Sequence, residues 1–367
     1  MKIVSIVGTR PNFMKLAALI PWIKKHNIGH VVIHTGQHYD TRMSHFFFGD
    51  LAMPTADEHL VIQTSLSGDE QKKFLKTTIK ETLKRQKPKP DLVIVVGDVN
   101  STVAGAEAAC ELGIKVAHVE AGLRSFDKTM PEEINRIRTD EISDFLFTTE
   151  ESGNENLKKE GISKDKIFFV GNVMIDTLLK HKEKAQTSDI LSKLKLIKNN
   201  YCVLTLHRPS NVDNKKDFEN IISILGKIQD KIKVVFPIHP RTRKNIDLFK
   251  LNEKMENMRN LIITEPLGYL DFLCLMANSK LVLTDSGGIQ EETTVLGVPC
   301  ITLRNNTERP VTVEQGTNFL VSTDKDKIVQ KSMEVIDDKI NIKNKIPELW
   351  DGKAAERIVK ILIGAYS

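Results

Sequence analysis

Thr284-Asp285-Ser286-Gly287-Gly288-Ile289-Gln290-Glu291-Glu292 follows directly on the apolar run Leu281-Val282-Leu283. The order is that of a buried strand, a Ser/Gly turn and the first turn of a helix. A helix start presents unpaired backbone N–H groups and a partial positive charge, and two glycines let an anion approach the backbone closely. The two acids one turn further in are poorly placed to grip a phosphate, but they suit the hydroxyls of a ribose attached to one. Taken alone, the stretch also fits an ordinary strand–turn–helix junction with acids at the helix start.

On either side of it, short β-branched runs alternate with longer amphipathic segments. In the first half the candidate strands are Ile3–Val7, His30–His34, Leu92–Val96, Lys115–Val119, Phe145–Thr148 and Ile167–Val170. Between them lie helical patterns such as Asn12–His26, opened by Pro11, and Asp69–Lys84. The lysine-rich stretch from Lys180 to Asn200 has the polarity of a surface helix and linker, and the alternation then restarts with Cys202–Leu206, Lys233–Pro237, Leu261–Thr264, Lys280–Thr284, Val298–Leu303 and Phe319–Val321. Strands alternating with helices predict parallel βαβ units with both sheet faces covered. The expected fold is therefore α/β, with two doubly wound parallel-sheet domains facing a cleft. One spans residues 1–172 and the other 173–350, and a final amphipathic helix, about 351–367, could cross back to the first.

A length of 367 residues exceeds what one hydrophobic core usually serves, which agrees with two domains. With 40% hydrophobic and 28% charged residues, the composition is that of an ordinary soluble globular protein. The net charge of +5 is spread along the chain, a mild preference for anionic small molecules that makes no case for nucleic acid or membrane binding. The four cysteines (Cys110, Cys202, Cys274 and Cys300) sit far apart, three of them in apolar stretches, and read as thiols of a reduced compartment. Ile3 to Val7 is too short for a signal peptide and no run approaches membrane-spanning length, so a cytoplasmic location is expected.

In an open parallel sheet, ligands gather beyond the carboxyl ends of the strands. Here those ends carry Gly8-Thr9-Arg10-Pro11-Asn12 with Lys15 a helical turn on, Gly97-Asp98, and His118-Val119-Glu120-Ala121-Gly122-Leu123-Arg124. The second half adds His207-Arg208-Pro209-Ser210-Asn211 and Pro237-Ile238-His239-Pro240-Arg241. Each alone could cap a helix or sit in solvent; five on one topological face point to a small-molecule site. Pro131-Glu132-Glu133-Ile134-Asn135-Arg136 reads as a helix start whose Glu132 and Arg136 either form a solvated i,i+4 pair or line that site. No GxGxxG, Tyr-x-x-x-Lys, Walker A loop, HExxH or metal-spaced histidine cluster is present, so no dinucleotide cofactor and no metal are expected.

In these motifs the chain resembles the non-hydrolysing UDP-N-acetylglucosamine 2-epimerases. The likeness extends in order through Thr35-Gly36-Gln37-His38, Ser286-Gly287-Gly288-x-Gln290-Glu291-Glu292, Thr307-Glu308-Arg309-Pro310 and the tail Pro347-x-Leu349-Trp350-x-Gly352-x-Ala354. One departure is visible: where the family commonly carries His-Arg-x-Glu-Asn, this chain has His207-Arg208-Pro209-Ser210-Asn211. The resemblance implies a GT-B fold of two Rossmann-like domains, the second binding UDP, and a homodimer that interconverts UDP-GlcNAc and UDP-ManNAc without a cofactor.

That chemistry has two requirements. The hydrogen at C2 has no adjacent carbonyl, and expulsion of UDP from C1 is what makes it acidic. The resemblance assigns the leaving diphosphate to Arg10, His207 and the Ser286-Gly287-Gly288 helix start, with Arg309 assisting, and the ribose to Glu292; Lys15 and His239 join the binding set. The acid/base groups on the two faces of C2 then come from Asp98, Glu120 and Glu132, with Arg136 setting their charge state. A hydrolysing 2-epimerase that releases ManNAc and UDP, a GT-B glycosyltransferase and a non-catalytic nucleotide-sugar binder share much of this equipment.

Overall fold

Leu92-Val93-Ile94-Val95-Val96 is buried along its whole length, the pattern of a strand covered on both faces. It is β4 in the computed structural model, which describes residues 1–37, 55–60, 66 and 68–366. His38 of the Thr35–His38 motif lies outside the described residues. The chain divides into two compact units, Met1–Lys180 with Glu348–Ser367, and His181–Pro347.

The first unit is built on a parallel sheet of β1 (Lys2–Val7), β2 (Gly29–His34), β3 (Glu58–His59), β4 (Leu92–Val96), β5 (Lys115–Ala121), β6 (Phe145–Thr148) and β7 (Ile167–Phe169). The strand order among the described residues is β3-β2-β1-β4-β5-β6-β7, so it reverses between β1 and β4. Alternation along β4 sends Leu92, Ile94 and Val96 into one apolar cluster and Val93 and Val95 into another. The first cluster is closed by helices Arg10–Lys25 and Ala354–Ala365, the second by Gly68–Arg85 and Asn100–Glu111.

The C-terminal helix docks here because Ala355, Ile358, Val359 and Leu362 form one stripe at helical spacing, packed with Leu16, Leu19 and Ile23. Trp350, nearly fully buried, donates its indole N–H to the Thr149 carbonyl at 2.8 Å. Gly171, at φ +88°, leaves room for this tail: a Cβ there would lie 2.0 Å from the Leu349 carbonyl oxygen. Asp176 caps the helix, accepting the Ala354 and Ala355 amides at 3.2 and 2.7 Å.

The second unit repeats the plan with β8 (Tyr201–Thr205), β9 (Lys233–Pro237), β10 (Leu261–Thr264), β11 (Leu281–Thr284), β12 (Cys300–Thr302) and β13 (Asn318–Leu320). All pairs are parallel, in the order β10-β9-β8-β11-β12-β13, and the reversal falls between β8 and β11. Helix Lys215–Gln229, capped by Asn214, packs Phe218, Ile221, Ile222, Leu225 and Ile228 into its core. The expected fold class is thus found in each unit; helix Val173–Ala185 runs into the lysine-rich stretch and helix Ile190–Lys193 lies within it. No helix among the described residues is long and apolar enough to cross a membrane. Cys202, Cys274 and Cys300 are buried, whereas Cys110 is exposed.

The Asp176 cap has a pH signature. Burial pushes its carboxyl up to about 6, against the pull of the two amides it accepts. The folded chain therefore holds this proton more tightly than the unfolded chain does. Its stabilising share is complete below about pH 4 and is lost as pH rises through about 6. Asp176→Asn keeps one of the two acceptor oxygens of the cap and does not titrate, so its stability sets a baseline free of this titration. Between about pH 5 and 7.5 the unmodified protein should lose stability relative to this variant, by roughly 1–3 kcal/mol read from paired thermal melts. Parallel pH profiles would show that Asp176 does not titrate in this window.

Candidate active site

At a strand-order reversal, the helices leaving two neighbouring strands go to opposite faces of the sheet and leave an uncovered crevice at the carboxyl edge. In the first unit the crevice lies at the ends of β1 and β4. Asn12, in the first turn of helix Arg10–Lys25, locks the two together. Its Oδ1 accepts the Gly8 and Thr9 amides and the Thr9 hydroxyl at 3.2, 3.1 and 3.0 Å, while its Nδ2 donates to the Val96 carbonyl at 3.0 Å. Arg10, partly exposed, opens the helix.

Lys15 follows on that helix and is buried. Its Nζ lies 2.6 Å from Glu120 Oε2, and the Glu120 side chain is only 2% exposed. Glu120 reaches Lys15 because β5 slips in register between Val119 and Ala121, placing Glu120 at φ +76°. A left-handed conformation at a residue other than glycine costs on the order of 1–3 kcal/mol and persists only where its surroundings enforce it.

Asp98 follows the end of β4, its side chain 24% exposed, and is ion-paired with Arg136. Arg136 is itself held by Glu133 at 2.6 Å. The Glu133 carboxylate also accepts the Ser125 and Phe126 amides at 2.9 and 3.0 Å, fixing the loop that leads into helix Pro131–Ile142. Asn135 donates to the Asp98 carbonyl at 3.1 Å. The structure therefore brings Asp98 and Arg136 into one cluster and Glu120 and Lys15 into another. Glu132 stands exposed on the first helical turn, and it is Glu133 and Asp98, rather than Glu132, that bind the Arg136 guanidinium.

In the second unit the crevice lies at the ends of β8 and β11, whose Thr205 and Thr284 hydroxyls meet at 2.7 Å. Asp285, fully buried, organises it. The carboxylate accepts the His207 and Arg208 amides at 3.0 and 2.9 Å and Asn211 Nδ2 at 3.1 Å, and it pairs with His207 Nδ1 at 2.9 Å. Burial alone would push this carboxyl up, but the His207 hydrogen bond and charge, with the two amides, hold it below the usual range. With Nδ1 turned to Asp285, His207 keeps Nε2 for a ligand, on a side chain that is 41% exposed. His239 lies alongside, ring centroids 5.7 Å apart. Its Nδ1 accepts the Arg241 amide at 3.2 Å as a helix cap, so its ring hydrogen is on Nε2.

Across the crevice, helix Gly287–Leu296 begins with a partly exposed turn at Ser286, Gly287 and Gly288. Arg309 lies against this turn, and a Cβ on Gly287 would come within 2.6 Å of its Nη1. Two buried carboxylates hold the guanidinium there: Glu291 at 2.7 Å and Glu308 at 3.5 Å. Burial would raise the Glu308 carboxyl, but the Arg304 hydrogen bonds and the charges of Arg304, Arg309 and Arg208 hold it far below the usual range. Glu292, also buried, accepts the Tyr269 hydroxyl at 3.3 Å. Helix amides, a fixed guanidinium and an oriented imidazole thus share one crevice, a set of donors of the kind that suits an anion.

Sequence reasoning gave no separate role to Glu133, Asp285 or Glu308, and it offered Glu291 to the ribose together with Glu292, whereas Glu291 is paired with Arg309. Asp285 carried a readable signal, as an acid directly after a strand at the reversal. The partners of Glu133, Glu291 and Glu308 are ones that only folding brings to them.

Comparison with known proteins follows the same lines. The family profile described as UDP-N-acetylglucosamine 2-epimerase matches residues 22–363. The UDP-N-acetylglucosamine 2-epimerase of Methanocaldococcus jannaschii is 45% identical over 99% of both chains. A crystal structure of the M. jannaschii enzyme in complex with UDP-GlcNAc and UDP superposes with a TM-score of 0.91, covering 99% of this chain and 100% of that one. The UDP-2,3-diacetamido-2,3-dideoxy-D-glucuronate 2-epimerase of Pseudomonas aeruginosa is 38% identical over 99% of both chains. On this extent of likeness, over nearly the whole of the chain, it belongs to the UDP-N-acetylglucosamine 2-epimerase family.

Proposed function

We propose that the protein interconverts UDP-GlcNAc and UDP-ManNAc by eliminating UDP to a 2-acetamidoglucal and adding it back with a proton delivered to the opposite face of C2. The observation that carries this reading is the set of carboxylates at the carboxyl ends of β4 and β5, Glu120 paired with Lys15 and Asp98 with Arg136; Glu132, exposed on the first turn of helix Pro131–Ile142, is the third acid of the proposal. Transfer of the sugar to an acceptor calls for no base at C2, whereas epimerisation calls for proton transfer on both faces.

The second unit suits the other half of the reaction. His207 Nε2, the Ser286–Gly288 helix start and Arg309 offer donors to a departing diphosphate, to which the family resemblance also assigns Arg10. Asp285 keeps the His207 ring oriented, so that it can hydrogen-bond or protonate the leaving group without first reorganising. Glu292, with two acceptor oxygens, serves the ribose hydroxyls. The cycle is redox-neutral, and these residues supply both its proton transfers and its anion stabilisation. The homodimer expected from the resemblance belongs to this proposal, and light scattering of the purified protein reads it directly.

Incubation with UDP-GlcNAc in deuterated water, followed by proton NMR, should yield UDP-ManNAc with deuterium at C2 in both epimers. Free ManNAc would instead mark a hydrolysing enzyme. The uronate sugar named for the P. aeruginosa relative is the comparison substrate, and turnover confined to it would replace UDP-GlcNAc in this reading.

His207→Ala and Arg10→Ala should each lower kcat by roughly 100- to 1,000-fold with the fold intact, the usual consequence of losing one preorganised donor. Near-normal turnover in both folded variants would place the diphosphate elsewhere.

Asp98→Asn, Glu120→Gln and Glu132→Gln preserve shape and remove the proton-accepting charge. Each should abolish net epimerisation while calorimetry still finds UDP bound. Deuterium entry at C2 at the unmodified rate in all three would make these acids structural.

A further inference from the structure

The β5 slip has a directional consequence. Val116 packs into the apolar cluster under helix Asn100–Glu111, while Ala117 and Val119 pack into the cluster under helix Arg10–Lys25. Strict alternation would put Glu120 on the same side as Val116 and His118. The slip instead carries Glu120 across, to Lys15 on helix Arg10–Lys25.

A single buried carboxylate straddles the slip. Asp140, on helix Pro131–Ile142, lies 2.6 Å from His118 Nδ1 on the near side and accepts the Gly122 amide at 3.0 Å on the far side. Arg124 pairs with it at 2.7 Å and is braced in turn by Glu160 at 2.6 Å. The far nitrogen of the same imidazole, Nε2, donates to the Gly97 carbonyl at 2.8 Å, and the Gly97 amide donates back to the Val119 carbonyl at 3.0 Å. Gly97 is the residue before Asp98. The pair is therefore tied both to the slip that aims Glu120 and to the turn that presents Asp98. Burial would raise the Asp140 carboxyl, and the His118 and Arg124 interactions hold it below the usual range.

We infer that Asp140, through His118 and the Gly122 amide, is the positioning residue that holds Glu120 on the Lys15 side of the sheet and sets its placement relative to Asp98. The inference rests on the proposed acid/base role of Glu120. Neither Asp140 nor His118 needs to touch the substrate. Both are buried, and each acts by denying Glu120 the conformation that ordinary strand alternation would impose.

Asp140→Asn keeps the volume and puts an amide nitrogen opposite one of the donors, loosening one arm of the clamp. For the folded enzyme, kcat should fall roughly 10- to 100-fold, the scale of an ångström-sized misplacement of a reacting group. KM and UDP affinity should stay within about twofold, and deuterium entry at C2 should fall in step with kcat. In a Glu120→Asp background, where the carboxylate is already withdrawn, Asp140→Asn should add much less than it does alone. His118→Gln reads the same clamp from its other end and serves where Asp140→Asn folds poorly; the same kinetic pattern is expected. Unmodified kcat in folded Asp140→Asn and His118→Gln, with only a lower melting temperature, overturns the inference. So does a full multiplicative loss in the Glu120→Asp/Asp140→Asn double variant. Unmodified turnover in Glu120→Gln overturns the acid/base role itself, a different result from loss of the clamp alone.

Discussion

Both units depend on one constraint of parallel sheets. Every strand of a parallel sheet ends on the same edge, and where the strand order reverses, neighbouring strands send their helices to opposite faces. The gap this leaves cannot be filled by the helices that cover the rest of the sheet, so the residues that follow the two central strands line it, some exposed and some buried beneath it. In the first unit those positions belong to Gly8–Asn12 and to Gly97 and Asp98; in the second they belong to His207 and to Asp285–Gly288. Side chains close each edge locally. Asn12 joins the end of β1 to that of β4, and Thr205 meets Thr284 across β8 and β11.

Charges placed at such edges are partly or wholly removed from water, and each must be matched there. Asp98, Arg136 and Glu133 form one run of alternating sign, and Glu291, Arg309, Glu308 and Arg304 form another. Pairs of this kind add little net stability, because their desolvation offsets their attraction; removing one partner is costly because the other is then left buried alone. Their effect is geometric. Arg309 is fixed against the helix start by two carboxylates, and His207 is oriented by one. Surface pairs such as Lys84 with Glu81 or Lys158 with Glu155 make no comparable demand on position.

Much of the fold was legible in the sequence. The runs Leu92–Val96, Phe145–Thr148, Lys233–Pro237 and Leu261–Thr264 coincide with β4, β6, β9 and β10, because a parallel strand covered by helices is a continuous apolar run bounded by polar turns; even β10, a partly exposed edge strand, keeps such a run. β3 escaped notice: Glu58 and His59 have no apolar pattern, and they pair with β2 beside Asp57, whose carboxylate accepts the Val32 amide. Helix Arg10–Lys25 starts two residues before the expected Asn12, its first turn closed by the Thr9–Asn12 capping box.

For the site, the sequence by itself determined which residue types stand at the carboxyl ends of the strands: Arg10, Asp98, Glu120, His207 and the Ser286-Gly287-Gly288 turn. Local periodicity places strand ends, and strand ends in a parallel sheet share an edge. Only the tertiary structure decided what each of them faces. Lys15, expected among the binding cations, is paired with Glu120. Arg136, which sequence spacing matched to Glu132, binds Glu133 and Asp98. Glu120 lies on the opposite side of its strand from the one alternation predicts. The physical reason is common to all three. A period-two or 3.6-residue pattern describes one element at a time, whereas the partner of a buried charge comes from another element brought close by packing. A one-residue slip in register, invisible in composition, is enough to turn a carboxylate from one face of a sheet to the other.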